Sequence, residues 1–132
     1  MTIDIADFFT IENEEQGIWY EPLDCGIEFK LLGASSDAAV TAGEQYDKDL
    51  TAAEKEQDVV KRARLNKDAL VKRLAATIVD VRGKDGVQPE IKGKPLVYSK
   101  ENILAILNGS AVIRDALLKG LATKSNFMMK KH

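Results

Sequence analysis

Residues 93–127 read GKPLVYSKENILAILNGSAVIRDALLKGLATKSNF, and this stretch decides the fold. A short apolar strand, Leu96, Val97 and Tyr98, runs into Ser99, whose hydroxyl can cap the first free amides of a helix. Glu101 falls in the first turn of that helix, where the macrodipole favours a negative charge. Ile103, Leu104, Ile106 and Leu107 give it an apolar side. Asn108 and Gly109 stop it, since both tolerate the left-handed conformation in which many helices end. Ser110 starts a second helix at once, and Val112, Ile113, Leu117, Leu118 and Leu121 line one face of it. Two helices joined so tightly must bury both stripes against a shared body.

Upstream, residues 77–82 (TIVDVR) are rich in β-branched side chains, so a long helix over about 52–79 is expected to hand over to a strand there. The loop that follows, residues 83–93, carries Gly83, Gly86 and Gly93, with a short strand over 87–91. The glycines lack the spacing of a phosphate loop and read as turns. The long helix opens on Thr51-Ala52-Ala53-Glu54, which fits a capping box. Val60, Ala63, Leu70, Val71, Leu74 and Ile78 share one face of it. Lys61, Arg62, Leu65, Ala69, Lys72, Arg73 and Ala76 collect on the other. This basic face reads either as a solvated surface, offset by acids such as Asp58 and Asp68, or as a docking surface for an acidic partner or a phosphate backbone. The lack of interleaved aromatic residues favours the solvated reading.

Further upstream, a helix over residues 37–49 is capped by Ser35 or Ser36, with Ala39, Val40, Tyr46 and Leu50 inside and Gly43 as a close packing point. Before it, residues 18–21 and 27–32 flank Pro22-Leu23-Asp24-Cys25-Gly26 as a β-hairpin. Ile27, Phe29 and Leu31 alternate with Glu28 and Lys30, and Trp19 is expected as a partly buried core anchor. Ile5, Phe8, Phe9 and Ile11 sit among acidic residues, as a helical turn or a strand against the body. At the other end Phe127, Met128 and Met129 read as exposed apolar residues beside Lys130 and Lys131, in a partner-binding or flexible tail. The candidate partner-binding residues are therefore Lys61, Arg62, Leu65, Lys72, Arg73, Phe127, Met128 and Met129.

The chain has 132 residues, 45% hydrophobic and 30% charged, which suits one globular domain over 1–132, with an N-terminal segment at 1–16 and a flexible tail at 125–132. A net charge of -2 gives no global attraction to nucleic acid or to an anionic membrane. There is no apolar run long enough to cross a bilayer. The acidic N-terminus lacks the basic start of a secretory signal. Cys25 is the only cysteine and His132 the only histidine, which fits a reducing compartment and falls short of a structural metal site. No catalytic constellation or cofactor motif appears, and nothing places an acid/base pair such as Asp24 and Glu28 in a pocket. The expected fold is α+β and helix-dominated: about four helices packed on a small antiparallel sheet formed by the hairpin and residues 77–98. The alternative is a mostly helical bundle with an extended hairpin arm.

The order of motifs resembles that of a known family. Gly17-Ile18-Trp19 lies in a hairpin, and residues 29–37 form a strand that ends in a Gly- and Ser-rich helix start. TIVDVRG follows at 77–83, GKPLVYSKENILAIL at 93–107, Ile113-Arg114-Asp115, and Ser125-Asn126-Phe127. Over residues 17–127 this resembles the tail assembly chaperones of long-tailed (siphovirus-type) bacteriophages and prophages. The resemblance implies a helix-rich, non-enzymatic protein of the host-cell cytoplasm, absent from the mature virion. It would coat the tape-measure protein, keep it soluble and recruit tail-tube subunits. It also implies a homo-oligomer and a longer, frameshifted form, for which Lys130-Lys131 would permit an A-rich slippery codon pair. No cofactor and no residue-level site comes with it. Helical grooves that accept amphipathic helices suit such a role, and many weak copies along one long partner add avidity. The alternative is a small phage-encoded nucleic-acid-binding or regulatory module that uses the basic helix face.

Overall fold

The computed structural model describes residues 2–129, so the readings placed on Lys130, Lys131 and His132 lie outside the described residues. In chain order it has a 3₁₀ turn at Ile5–Phe8, α1 (Ile11–Gln16), β1 (Ile18–Tyr20), β2 (Ile27–Leu31), α2 (Asp37–Glu54), α3 (Val59–Ala76), β3 (Ile78–Gly83), β4 (Glu90–Ile91), β5 (Lys94–Pro95), α4 (Lys100–Gly109), α5 (Ala111–Ala122) and a closing 3₁₀ turn at Lys124–Phe127. The first three strands form an antiparallel sheet in the order β1-β2-β3, and β4 pairs with β5 as a separate ribbon. The fold is α+β and helix-rich, with five α-helices among the described residues rather than about four.

Strand alternation sorts the two faces of the sheet. Phe29 and Leu31 on β2 are buried under the helices, while Glu28 and Lys30 stand on the outer face. Trp19 lies opposite Lys30, so it too belongs outside, with the Arg82 guanidinium 3.8 Å above its ring. The expectation that Trp19 anchors the core is corrected. Its neighbour Tyr20, opposite Phe29, faces inward instead and packs on α5 at Gly120, where a Cβ would come 2.6 Å from the ring.

Ile18, Phe29 and Leu31 from the sheet meet Val71, Leu74, Ile78, Leu96, Ile103, Leu107 and Leu117 in one core. Each such side chain contributes roughly 1.5–3 kcal/mol by leaving water. The helix joint forms as expected at its serines. Ser99 accepts a hydrogen bond from the Asn102 amide at 3.0 Å, and Ser110 from the Ile113 amide at 3.1 Å. The means of stopping α4 differ: Gly109 is not left-handed. Ser110 is extended (φ -133, ψ 101), and its own amide still donates to the Ile106 carbonyl at 2.9 Å. One extended residue therefore closes α4 and opens α5. Leu96, Val97 and Tyr98 are not a strand; pairing ends at Pro95, and Leu96 enters the core after its amide bonds the Pro89 carbonyl.

The expected helix over 52–79 is corrected at both ends. Thr51 is not a cap: α2 runs through it, and its hydroxyl donates to the Asp47 carbonyl four residues back. The break comes later, and Asp58 caps α3 by accepting from the Lys61 amide. At the far end α3 stops at Ala76, before the β-branched run enters the sheet. Helices α2 and α3 make a hairpin whose outer half projects beyond the core. Accordingly Val60 and Ala63, expected inside, are exposed, and Ala69, expected outside, is buried.

Residues 9–14 and 126–129 are tied to the same place. The buried Glu14 of α1 accepts from the Thr10 hydroxyl at 2.8 Å and the Ser35 amide at 3.1 Å, and its carbonyl accepts from the Gly33 amide at 2.8 Å. Gly33 is required there, because a Cβ would overlap the Glu14 side chain. Asn13 donates to the Phe127 carbonyl at 3.0 Å and the Met128 carbonyl at 3.2 Å, and the Met129 amide donates to the Phe9 carbonyl at 3.0 Å. Phe127, expected exposed in a flexible tail, is 2% exposed and part of the core. The closing 3₁₀ turn, held by Asn126 donating to the Gly120 carbonyl, swings its ring inward.

Candidate interaction surfaces

Chemistry-bearing side chains do not converge among the described residues. No group of three or more His, Cys, Asp or Glu could hold a metal ion. Asp24 lies on an exposed turn, and Glu28 is held by the Arg82 guanidinium at 2.8 Å on the outer sheet face. The exposed Cys25 has its Sγ 3.6 Å from the Ile27 carbonyl. Among the described residues, no helix is long and apolar enough to cross a membrane. What the fold does present is shape.

The larger feature is a groove where α2, α3 and α4 meet. Two adjoining recesses of about 830 and 430 Å³ share Asp49, Ala69, Lys72 and Leu104 in their walls. Helix α2 lines it with Ala38, Thr41, Ala42 and Ala52, small side chains that leave room along the helix. Leu65, Leu104 and Tyr46 add apolar surface, and Lys72 and Arg73 stand beside it. The Arg73 guanidinium sits 4.8 Å from the centroid of the Tyr46 ring, a cation–π contact that fixes both side chains across the groove. Three of the residues expected to meet a partner, Leu65, Lys72 and Arg73, are thus brought together.

Lys61 and Arg62 are not in the groove walls; they lie on the projecting half of α3 with Arg64 and Lys67. None of the six basic side chains of α3 (Lys61, Arg62, Arg64, Lys67, Lys72, Arg73) takes part in an ion pair among the described residues.

The second surface was expected only at Met129; the outward face of residues 3–11 was not. Ile3, Ile5, Phe8, Phe9 and Ile11 are all more than half exposed, and Met129 joins them at 44%. Phe8, Phe9, Ile11 and Met129 surround a depression of about 600 Å³. The segment is held to the body by its backbone and by Glu14, so its apolar side chains turn outward. Met128, half-buried, lies next to it. The available signal was the acidic setting: residues 2–16 hold Asp4, Asp7, Glu12, Glu14 and Glu15 and no basic residue.

Electrostatics reinforce the anchor beneath this surface. Burial alone would push the Glu14 carboxyl up, but the bonds from Thr10 and Ser35 and the charge of Lys124 outweigh it and hold the group below its ordinary 4.5. On the sheet's loop end, the Gly26 amide and Lys84 hold Glu21 below its usual range, and Glu21 in turn raises Lys84. No family model matches the chain, and neither the curated proteins nor the solved structures contain a match to it.

Proposed function

We propose that this chain is a non-catalytic assembly chaperone of long-tailed phages or prophages, which shields amphipathic helices of the tape-measure protein and recruits tail-tube subunits in the host cytoplasm. Two things support the reading. One is the motif order over residues 17–127. The other, which carries it physically, is the open groove between α2, α3 and α4, lined by alanines, Leu65 and Leu104 and edged by charges of both signs: Lys72, Arg73 and Lys100 with Asp37, Asp49 and Asp68. An α-helix with one apolar stripe and charges of both signs beside it fits such a groove, its stripe on Leu65 and Leu104, its acids on Lys72, Arg73 and Lys100 and its bases on Asp37, Asp49 and Asp68. No bond-making chemistry is needed for this work.

The test is co-expression with a tape-measure fragment from the same phage or prophage genome. The fragment is expected to stay soluble with the native chain. The variant Leu65→Asp/Lys72→Glu should lower the recovery of soluble complex about tenfold, the equivalent of about 1.4 kcal/mol of lost affinity. Aggregation of the fragment beside the native chain, or full protection by the variant, would sink the reading.

A second reading, a nucleic-acid-binding module, is favoured by the six cations of α3, none of which is in an ion pair among the described residues. It requires duplex affinity at low salt that falls steeply as salt rises. No binding at low salt removes it.

A further inference from the structure

We propose that the groove between α2, α3 and α4 takes one amphipathic helix of about four turns, bound antiparallel to α2 and α4, with large apolar side chains in its stripe and its basic residues toward its N-terminus. The inference rests on the proposed function and adds to it the size, direction and charge order of the occupant.

The walls of the groove are rows at coiled-coil spacing. Ala38, Ala42, Gln45, Asp49 and Ala52 of α2 follow one another at four, three, four and three residues. Leu65, Ala69, Lys72 and Ala76 of α3 follow at four, three and four. Lys100, Leu104 and Asn108 give one residue per turn from α4. Helices α2 and α4 each pack on α3 and scarcely on each other. Three helices so placed make a four-helix bundle with one position open, between α2 and α4. From Ala38 to Ala52 the row runs about 21 Å at 1.5 Å per residue, which sets the length of the occupant. Alanine holds five of the nine positions in the rows of α2 and α3. The bulk must therefore come from the occupant. Leucine, methionine or phenylalanine in its stripe fills the space, and a further row of alanines would leave it empty.

Direction follows from charge. One recess is walled by residues 37–49 of α2, 69–76 of α3 and 100–104 of α4, the other by residues 49–53, 65–72 and 104–108. Helices α2 and α4 therefore run the same way along the groove, and α3 runs against them. At the end where α2 and α4 begin, the lining holds Arg73 and Lys100 against Asp37, and two helix N-termini add positive charge. At the end where they finish, the lining holds Asp68, and two C-termini add negative charge. Asp49 and Lys72, shared by both recesses, balance in the middle. A bound helix is positive at its N-terminus and negative at its C-terminus. It lies with the first by Asp68 and the second by Arg73 and Lys100. The same ends favour bases in its first half and acids in its second, the reverse of the order that steadies an isolated helix.

The experiment uses two synthetic peptides of about 18 residues and one composition, with leucines at alternating three- and four-residue spacing. One carries lysines in its first half and glutamates in its second; the other has the order reversed. In isothermal titration calorimetry at low salt the lysine-first peptide should bind the full chain about threefold or more tightly than the other, although the other is the better helix alone. A nitroxide at the first residue of the bound lysine-first peptide should broaden the amide resonances of Asp68 and Asn108, and one at its last residue those of Ala38 and Lys100. Ala42→Leu/Ala52→Leu, which fills the α2 row, should weaken binding about tenfold or more. Ala63→Leu, exposed and outside the groove walls, should bind like the native chain. Urea denaturation checks that both variants fold. No binding of either peptide, tighter binding of the glutamate-first peptide, broadening at the opposite ends, or native-like binding by the filled variant would each overturn the inference. Should that happen while the tape-measure fragment stays soluble beside the native chain, the direction and charge order fall and the proposed function stands.

Discussion

Glu14 shows how a single carboxylate can be taken out of water and kept charged. Its two oxygens are met by the Thr10 hydroxyl and the Ser35 amide, and its own backbone holds Gly33. Because the folded carboxyl lies below the ordinary 4.5, its contribution to stability is complete above that pH and disappears as pH falls through the folded value. Glu14→Gln keeps an acceptor but loses the charge. It should cost about 1 kcal/mol near neutral pH and flatten the fall of stability below about pH 4.5, in urea titrations run at several pH values. Nothing local marks this residue in the sequence, since Ser35 lies 21 positions away. Ser99 and Ser110, by contrast, bond amides three residues on, and a three-residue relation is readable from sequence alone.

At the scale of elements, local chemistry was legible wherever it had no rival. The hairpin of β1 and β2, the serine-capped starts of α2, α4 and α5 and the strand at Ile78–Gly83 all follow from patterns within a few residues. The boundary between α2 and α3 did not, because the capping-box pattern at Thr51 points to a helix start seven residues before the cap that forms, Asp58. Asp58 caps the helix while Thr51 satisfies its hydroxyl inside one, an outcome decided by where the hairpin turns and not by either motif. Ser110 gives a separable test of its two duties. Ser110→Ala removes the hydroxyl acceptor but keeps the amide that closes α4. It should cost about 1 kcal/mol in chemical denaturation. Faster amide exchange should appear at Ile113, in the first turn of α5, with the amide of residue 110 itself unchanged.

At the scale of the molecule, the α+β architecture was legible and the fate of the two ends was not. Apolar content at Phe8, Phe9, Phe127 and Met129 looks alike in the sequence. Only the turn at Lys124–Phe127 decides that Phe127 goes inside while Phe8, Phe9 and Met129 stay out. For the same reason the groove lined by Leu65 and Leu104 could be anticipated only on its α3 side, since Leu104 is 39 positions from Leu65 (104 less 65). Phe127→Ala should cost about 3–5 kcal/mol, a large part of the roughly 5–15 kcal/mol that holds a small domain together. Met129→Ala should stay within about 0.5 kcal/mol, and urea denaturation of the two variants separates them.

That inward turn of Phe127 also bears on how the protein is made. A nascent chain can form its hairpin and its helices while synthesis continues. Its interior stays unsealed, however, until residue 127 has cleared the ribosome exit tunnel, so the native state is a post-emergence event rather than a stepwise one.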